Sequence, residues 1–191
     1  VYFEKEEETE LIKRLEAEIV QTIEKSEQPE AKKILCLASY RPLDQYNWCQ
    51  KLKVLDHLEE VKLRLIEEPF AERVISAEIP MLGEISDDIS CKVRSQYEKN
   101  PYPRWVKTLK TKKAKSISEI CAEVNLHLNS ESIKNEITPA ILIAGCGTGQ
   151  HSIVTASRFS GCQVTAVDLS LASLAYAQRK SNELRLNNID Y

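Results

Sequence analysis

Apolar residues at positions 11, 12, 15, 19, 20 and 23 recur at helical spacing through TELIKRLEAEIVQTIEKSEQPE (9–30). The spacing predicts an amphipathic helix. No glycine marks its end, so Pro29 either stops it or opens the next element. The short apolar run in KKILCLASYRPL suits a strand or a buried helix piece. Its helical flanks favour a helix broken at Arg41-Pro42. Apolar positions 48, 52, 55, 58, 61, 63, 65 and 66 predict one or two more helical pieces, and Pro69 starts another over PFAERVISAEI. Residues 1–80 thus read as all-helical.

The pattern then changes. Asp87, Asp88 and Ser90 offer caps for a short helix over 89–98. NPYPRW must leave the helical region, because Pro101 and Pro103 each restrict the residue before them. Ser118, with a glutamate nearby, opens a helix over about 117–128, and HLNSESIKNEITP reads as a polar connection. From Ala140 a new alternation begins. AILIA is a short unbroken apolar run, expected as a strand buried on both faces. A helix-length segment follows, then the strand CQVTAVD, a second helix within LSLASLAYAQRKSNELRL, and the lead-in NNIDY to a third strand. This order predicts an α/β fold: an N-terminal all-helical region, then the first part (β-α-β-α) of a doubly wound, Rossmann-like parallel sheet.

Composition narrows the class. The chain has 191 residues, 42% hydrophobic and 29% charged, as expected of a folded protein. The formal net charge of −3 points to no polyanionic partner. Distribution adds one exception: residues 91–115 carry nine Lys or Arg against a single acid, Glu98. Nucleic acid is one partner for that patch, but a solvated face explains it more simply. Six cysteines without a C-x-x-C pair, and three histidines, predict neither a zinc site nor a disulfide scaffold. Reduced thiols fit a cytoplasmic protein. No apolar run approaches the roughly 18 residues that span a bilayer, and the start VYFEKEEETE lacks a signal-peptide pattern.

Three of the five glycines, Gly145, Gly147 and Gly149, lie within five positions, between the first strand and the first helix of the sheet. Glycine permits positive φ and removes Cβ, so a ligand can approach the backbone at a helix N-terminus. The spacing misses the G-x-G-x-x-G of dinucleotide binders and the Walker loop. It leaves room for a nucleoside or a carboxylate-bearing cofactor. Asp168 ends the second strand, 23 residues after Gly145, where a carboxylate can accept both hydroxyls of a ribose. Leu169 beside it can pack on an adenine face. Cys146 reads as a small residue filling the turn, with no base placed beside it in sequence.

ILIAGCGTG followed by VTAVDLS resembles the first two motifs of class I S-adenosyl-L-methionine-dependent methyltransferases. The resemblance implies a cofactor-binding loop of Gly145, Cys146, Gly147 and Gly149, ribose binding by Asp168 and adenine packing by Leu169. Ile143 stands where many relatives have an acid that helps hold the cofactor's amino group. With VRSQYEKNPYPRW upstream and DLSLASLAYAQRK downstream, the chain resembles a bacterial subgroup with tetratricopeptide repeats upstream.

Tyr97, Tyr102 and Arg104 are expected on an arm that closes the site. The tyrosine faces would attract a sulfonium cation, and Arg104 would lie near the methionine carboxylate. The alternative is a rigid linker whose aromatics pack on the sheet. The expected division is a helical domain over 1–84, repeat-like or substrate-recognising, a basic linker and arm over 85–137, and the first part of the cofactor domain over 138–191. Such a sheet normally has six or seven strands, so the chain reads as a fragment ending at strand three and catalytically silent alone. The methyl acceptor, protein or small molecule, is not identified, and no catalytic base is named. Homo-oligomerisation would cover the open sheet edge. Two other classes are an NAD-dependent oxidoreductase and a non-catalytic, protein-binding helical scaffold.

Overall fold

In a computed structural model, residues 4–53, 58–108, 110–111 and 113–191 are described. They form two compact units, Val1–Ala71 and Glu72–Tyr191. In the first unit, α1 (Glu6–Glu24) buries Ile12, Ile19 and Ile23 along one stripe. Ser26, at φ 62°, closes it by sending the next amide, Glu27 N–H, back to Thr22 O at 3.1 Å. Pro29 therefore opens the following element rather than ending α1. That element, α2 (Ala31–Tyr40), ends at the extended Arg41, before Pro42. A helical run follows: α3 (Glu59–Lys62), a π-helical turn (Leu63–Glu67) and α4 (Glu68–Ser76). Leu55, counted in the helical pattern, lies outside the described residues. The core gathers Ile19, Leu37, Leu43, Cys49 and Ile66, with Tyr46 stacked on Trp48 at 4.8 Å.

The second unit opens its sheet late. Asp87 caps α5 (Asp88–Lys99) by accepting from Ser90 N–H at 2.8 Å. The next helix, α6 (Ile117–Glu123), is capped by Ser116 rather than Ser118. Only Ser116 stands three residues before Glu119, the separation a capping box requires. It also stops short of 128, because Asn125 turns left-handed at φ 53° and Leu126 N–H bonds Cys121 O. The polar connection contains one helical turn, α7 (Glu131–Lys134).

Then come β1 (Ala140–Ala144), α8 (Gln150–Arg158), β2 (Gln163–Val167), α9 (Leu171–Glu183) and β3 (Ile189–Asp190). The strands are parallel in the order β1-β2-β3, with Ile143 opposite Ala166 and Val164 opposite Ile189.

The expectation that β1 is buried on both faces is corrected. Ile143 is buried, but Leu142 is 67% exposed. Right-handed crossovers between strands laid side by side in chain order place both connecting helices on one face. Ala156 of α8 and Leu174 of α9 accordingly pack with Ile143, Val164 and Ala166 in one cluster. Leu142 and Thr165 point the other way and are exposed.

A charge cluster built on buried Glu72 and Arg179 braces α9. Glu72 accepts from Arg104 Nη2 at 3.0 and 3.1 Å, and from Arg179 Nε and Nη2 at 3.0 and 2.8 Å. Arg179 also bonds Glu183, and both guanidinium groups lie over the Tyr176 ring. Glu72→Gln keeps one acceptor for two cations and is expected to lower stability by about 1–2 kcal/mol in urea unfolding. A loss below about 0.5 kcal/mol would show that the bridge does not brace the fold.

Candidate functional site

The glycine turn hangs from β2. The N–H groups of Gly145 and Cys146 both donate to Val167 O, at 2.8 and 3.0 Å. All three turn glycines adopt positive φ: 71° at Gly145, 53° at Gly147 and 78° at Gly149. Their surroundings divide them. A Cβ on Gly145 or Gly147 would meet nothing within 4 Å, whereas one on Gly149 would lie 2.4 Å from Ala177 Cβ and 3.0 Å from Tyr191 Oη. Two glycines therefore leave the backbone open, and the third lets α8 start against α9.

Asp168 faces this turn. Its Oδ2 accepts from Gly147 N–H at 2.8 Å, and its Oδ1 from Ser170 N–H at 2.9 Å. The loop and the acid lie on the same edge of the sheet. A carboxylate has about four acceptor positions, so these two bonds leave capacity for further donors. Ser170, not Asp168, caps α9, accepting from Ser173 N–H at 3.1 Å.

A cleft of about 700 Å³ opens over the turn. Tyr97, Tyr102, Gly145, Gly147, Asp168 and Leu169 line it, together with Leu82, Val93, Ala144, Val167 and Ser173. Asp168 is the one charged side chain among these described residues. Tyr102 is 74% exposed and Tyr97 is 38% exposed, so both rings have free surface.

The other sequence-selected residues lie elsewhere. Arg104 forks onto Glu72 and is absent from the lining. Gly149 belongs to the α8–α9 packing. Cys146 is buried, and burial, reinforced by the charge of Asp168, pushes its thiol up to about 12. It stays protonated at neutral pH and is no nucleophile.

The arm is tied down at points the sequence does not announce. Thr148 Oγ1 donates to Pro103 O at 2.7 Å, Trp105 Nε1 donates to Thr148 O at 3.0 Å, and Tyr176 donates its hydroxyl to Trp105 O. Glu98 accepts from the N–H groups of Leu171 and Ala172 at 2.9 and 2.8 Å. Its being the single acid in a basic stretch was the one signal available for it. Nothing in the sequence signals Glu72, whose partner Arg179 is 107 positions away. Among the described residues there is no cluster of three or more His, Cys, Asp or Glu that could hold a metal, and no helix is long and apolar enough to cross a membrane.

The cleft suits a nucleoside with a small charged tail. Glycine backbone beside open space lines it, its acceptor is a carboxylate at a strand end, and its walls are apolar and aromatic.

Residues 141–191 match a family model described as a methyltransferase domain. No curated protein matches the chain. Among solved structures, coclaurine N-methyltransferase bound to N-methylheliamine and SAH aligns at 18% identity and a TM-score of 0.35. The alignment covers 95% of this chain and 49% of that one, so the chain spans about half the length of that structure. The strand-turn-helix-strand order and the bond between the glycine turn and the strand-end acid thus lie on a Rossmann-like β-α-β-α sheet whose residues 141–191 are similar to a methyltransferase domain.

Proposed function

We propose that the cleft binds S-adenosyl-L-methionine and that the protein serves methyl transfer to an acceptor. The observation that carries this reading is the Gly147–Asp168 contact, which sets uncrowded glycine backbone beside a strand-end carboxylate with acceptor capacity to spare. Asp168 takes the ribose hydroxyls, and Leu169 flanks the base. The backbone at Gly145 and Gly147 gives room to the methionine portion, and Tyr97 and Tyr102 present ring faces to a cation. When bound, the cofactor supplies an electrophilic methyl group on a positively charged sulfur. Arg104, engaged by Glu72, contributes by holding the arm rather than by touching the methionine carboxylate.

The described lining offers Asp168 as its single carboxylate, and that group is committed to the loop and the ribose. We therefore assign this chain the cofactor-binding part of the reaction, with acceptor proton handling supplied by groups outside the lining. The six cysteines, none of them in a disulfide, support the reading of a cytoplasmic protein.

Calorimetric titration of the whole chain with S-adenosylhomocysteine and, separately, with NADH tests the assignment. Saturable binding of the first and none of the second is expected. Binding of NADH alone would replace the reading with a dinucleotide enzyme.

A further inference from the structure

The first turn of α9 has a complete hydrogen-bond account. Leu174 N–H reaches Ser170 O at 3.1 Å, and Ser173 N–H reaches Ser170 Oγ at 3.1 Å. The remaining two donors, Leu171 N–H and Ala172 N–H, both go to the carboxylate of Glu98, one to each oxygen. A helix of 13 residues thus draws half of its N-terminal capping from a side chain more than 70 positions upstream.

Glu98 sits on the last turn of α5, next to Tyr97. Residues four apart share a helix face. Val93 and Tyr97 line the cleft. The neighbouring stripe, Arg94 and Glu98, carries an ion pair of 3.9 Å and the contact to α9. With Glu98 bonded to α9, the adjoining stripe of Val93 and Tyr97 lines the same cleft as Gly145 and Gly147. Beyond it, Pro103 and Trp105 are fastened to Thr148. Tyr102 lies between these two attachments.

We infer that Glu98 is a positioning residue for the cofactor cleft: its carboxylate docks α5 on the N-terminus of α9 and so holds Tyr97 and Tyr102 over the glycine turn. The inference rests on the methyl-donor reading of the cleft, because the two tyrosines matter only if a ligand lies beneath them. Glu98 itself need touch no ligand.

The test compares the full chain with Glu98→Gln and Glu98→Ala. Two measurements are made on each: affinity for S-adenosylhomocysteine, and hydrogen exchange of residues 93–105 without ligand. The alanine variant is expected to bind about tenfold more weakly, by loss of a charged cap. The glutamine variant keeps one acceptor oxygen and is expected to lose about threefold. In both, amides of 93–105 exchange faster while those of β1 and β2 are unchanged. If alanine disturbs the whole unit, the glutamine variant carries the comparison. Arm protection unchanged in both variants would overturn the inference. So would a freed arm with affinity within twofold of the parent. Failure of the parent chain to bind S-adenosylhomocysteine would instead sink the methyl-donor reading, and the inference with it.

Discussion

Gly149→Ala is expected to lower the stability of the Glu72–Tyr191 unit by about 2–5 kcal/mol, read as a fall in the urea midpoint with an unchanged slope. Two costs combine. At φ 78° an L-residue suffers a left-handed backbone penalty of about 1–2 kcal/mol. The new methyl group would also lie 2.4 Å from Ala177 Cβ and 3.1 Å from its Cα. Ala177 is fully buried on α9, and its Cα is main chain that no rotamer change can move. Relief requires α8 and α9 to separate, and overpacking of this kind costs about 1–3 kcal/mol. Gly145→Ala provides the contrast: it carries the backbone penalty alone, because its Cβ would enter open space. An equal loss at both positions would show that Gly149 does not pack against α9 as described.

Asp168→Asn is expected to weaken S-adenosylhomocysteine binding by about 10- to 100-fold, with adenosine affinity falling in parallel. An asparagine has one acceptor oxygen and an amide donor. Asp168 now faces two backbone donors, Gly147 N–H and Ser170 N–H, on its two oxygens. After the substitution one of these amides confronts an NH₂ group. The loop then loses a contact and, on the proposed reading, the ribose loses an acceptor. Because the adenosine half carries the ribose, loss with the complete ligand and none with adenosine would place Asp168 elsewhere in the pocket. Affinity unchanged for both ligands would remove it from the site. The thermal midpoint accompanies each titration, since the lost loop contact is itself worth about 1 kcal/mol.

Most short-range features were legible in the chain. The helical stripe of Ile12, Ile19 and Ile23, the break at Arg41-Pro42 and the cap at Asp87 depend on a few neighbouring residues. Signals with alternatives at one or two positions were less secure. Two serines stood near Glu119, and only the three-residue separation of Ser116 satisfies both halves of the box. Asn125 ends α6 through a left-handed conformation that asparagine tolerates without requiring.

The sequence by itself determined the alternation of strand and helix from Ala140, the position of the glycine turn, and the acid that closes the second strand. These follow from periodicity and from backbone angles open chiefly to glycine, which act over a few bonds. Tertiary structure alone decided which glycines leave open space beside the backbone, why Leu142 is bare, and where Arg104, Glu98 and Glu72 find their partners. Those outcomes depend on which strands lie side by side and how helices pack across them. A charge or a methyl group acts on what is near in space, and chain separation says little about that once the sheet has formed.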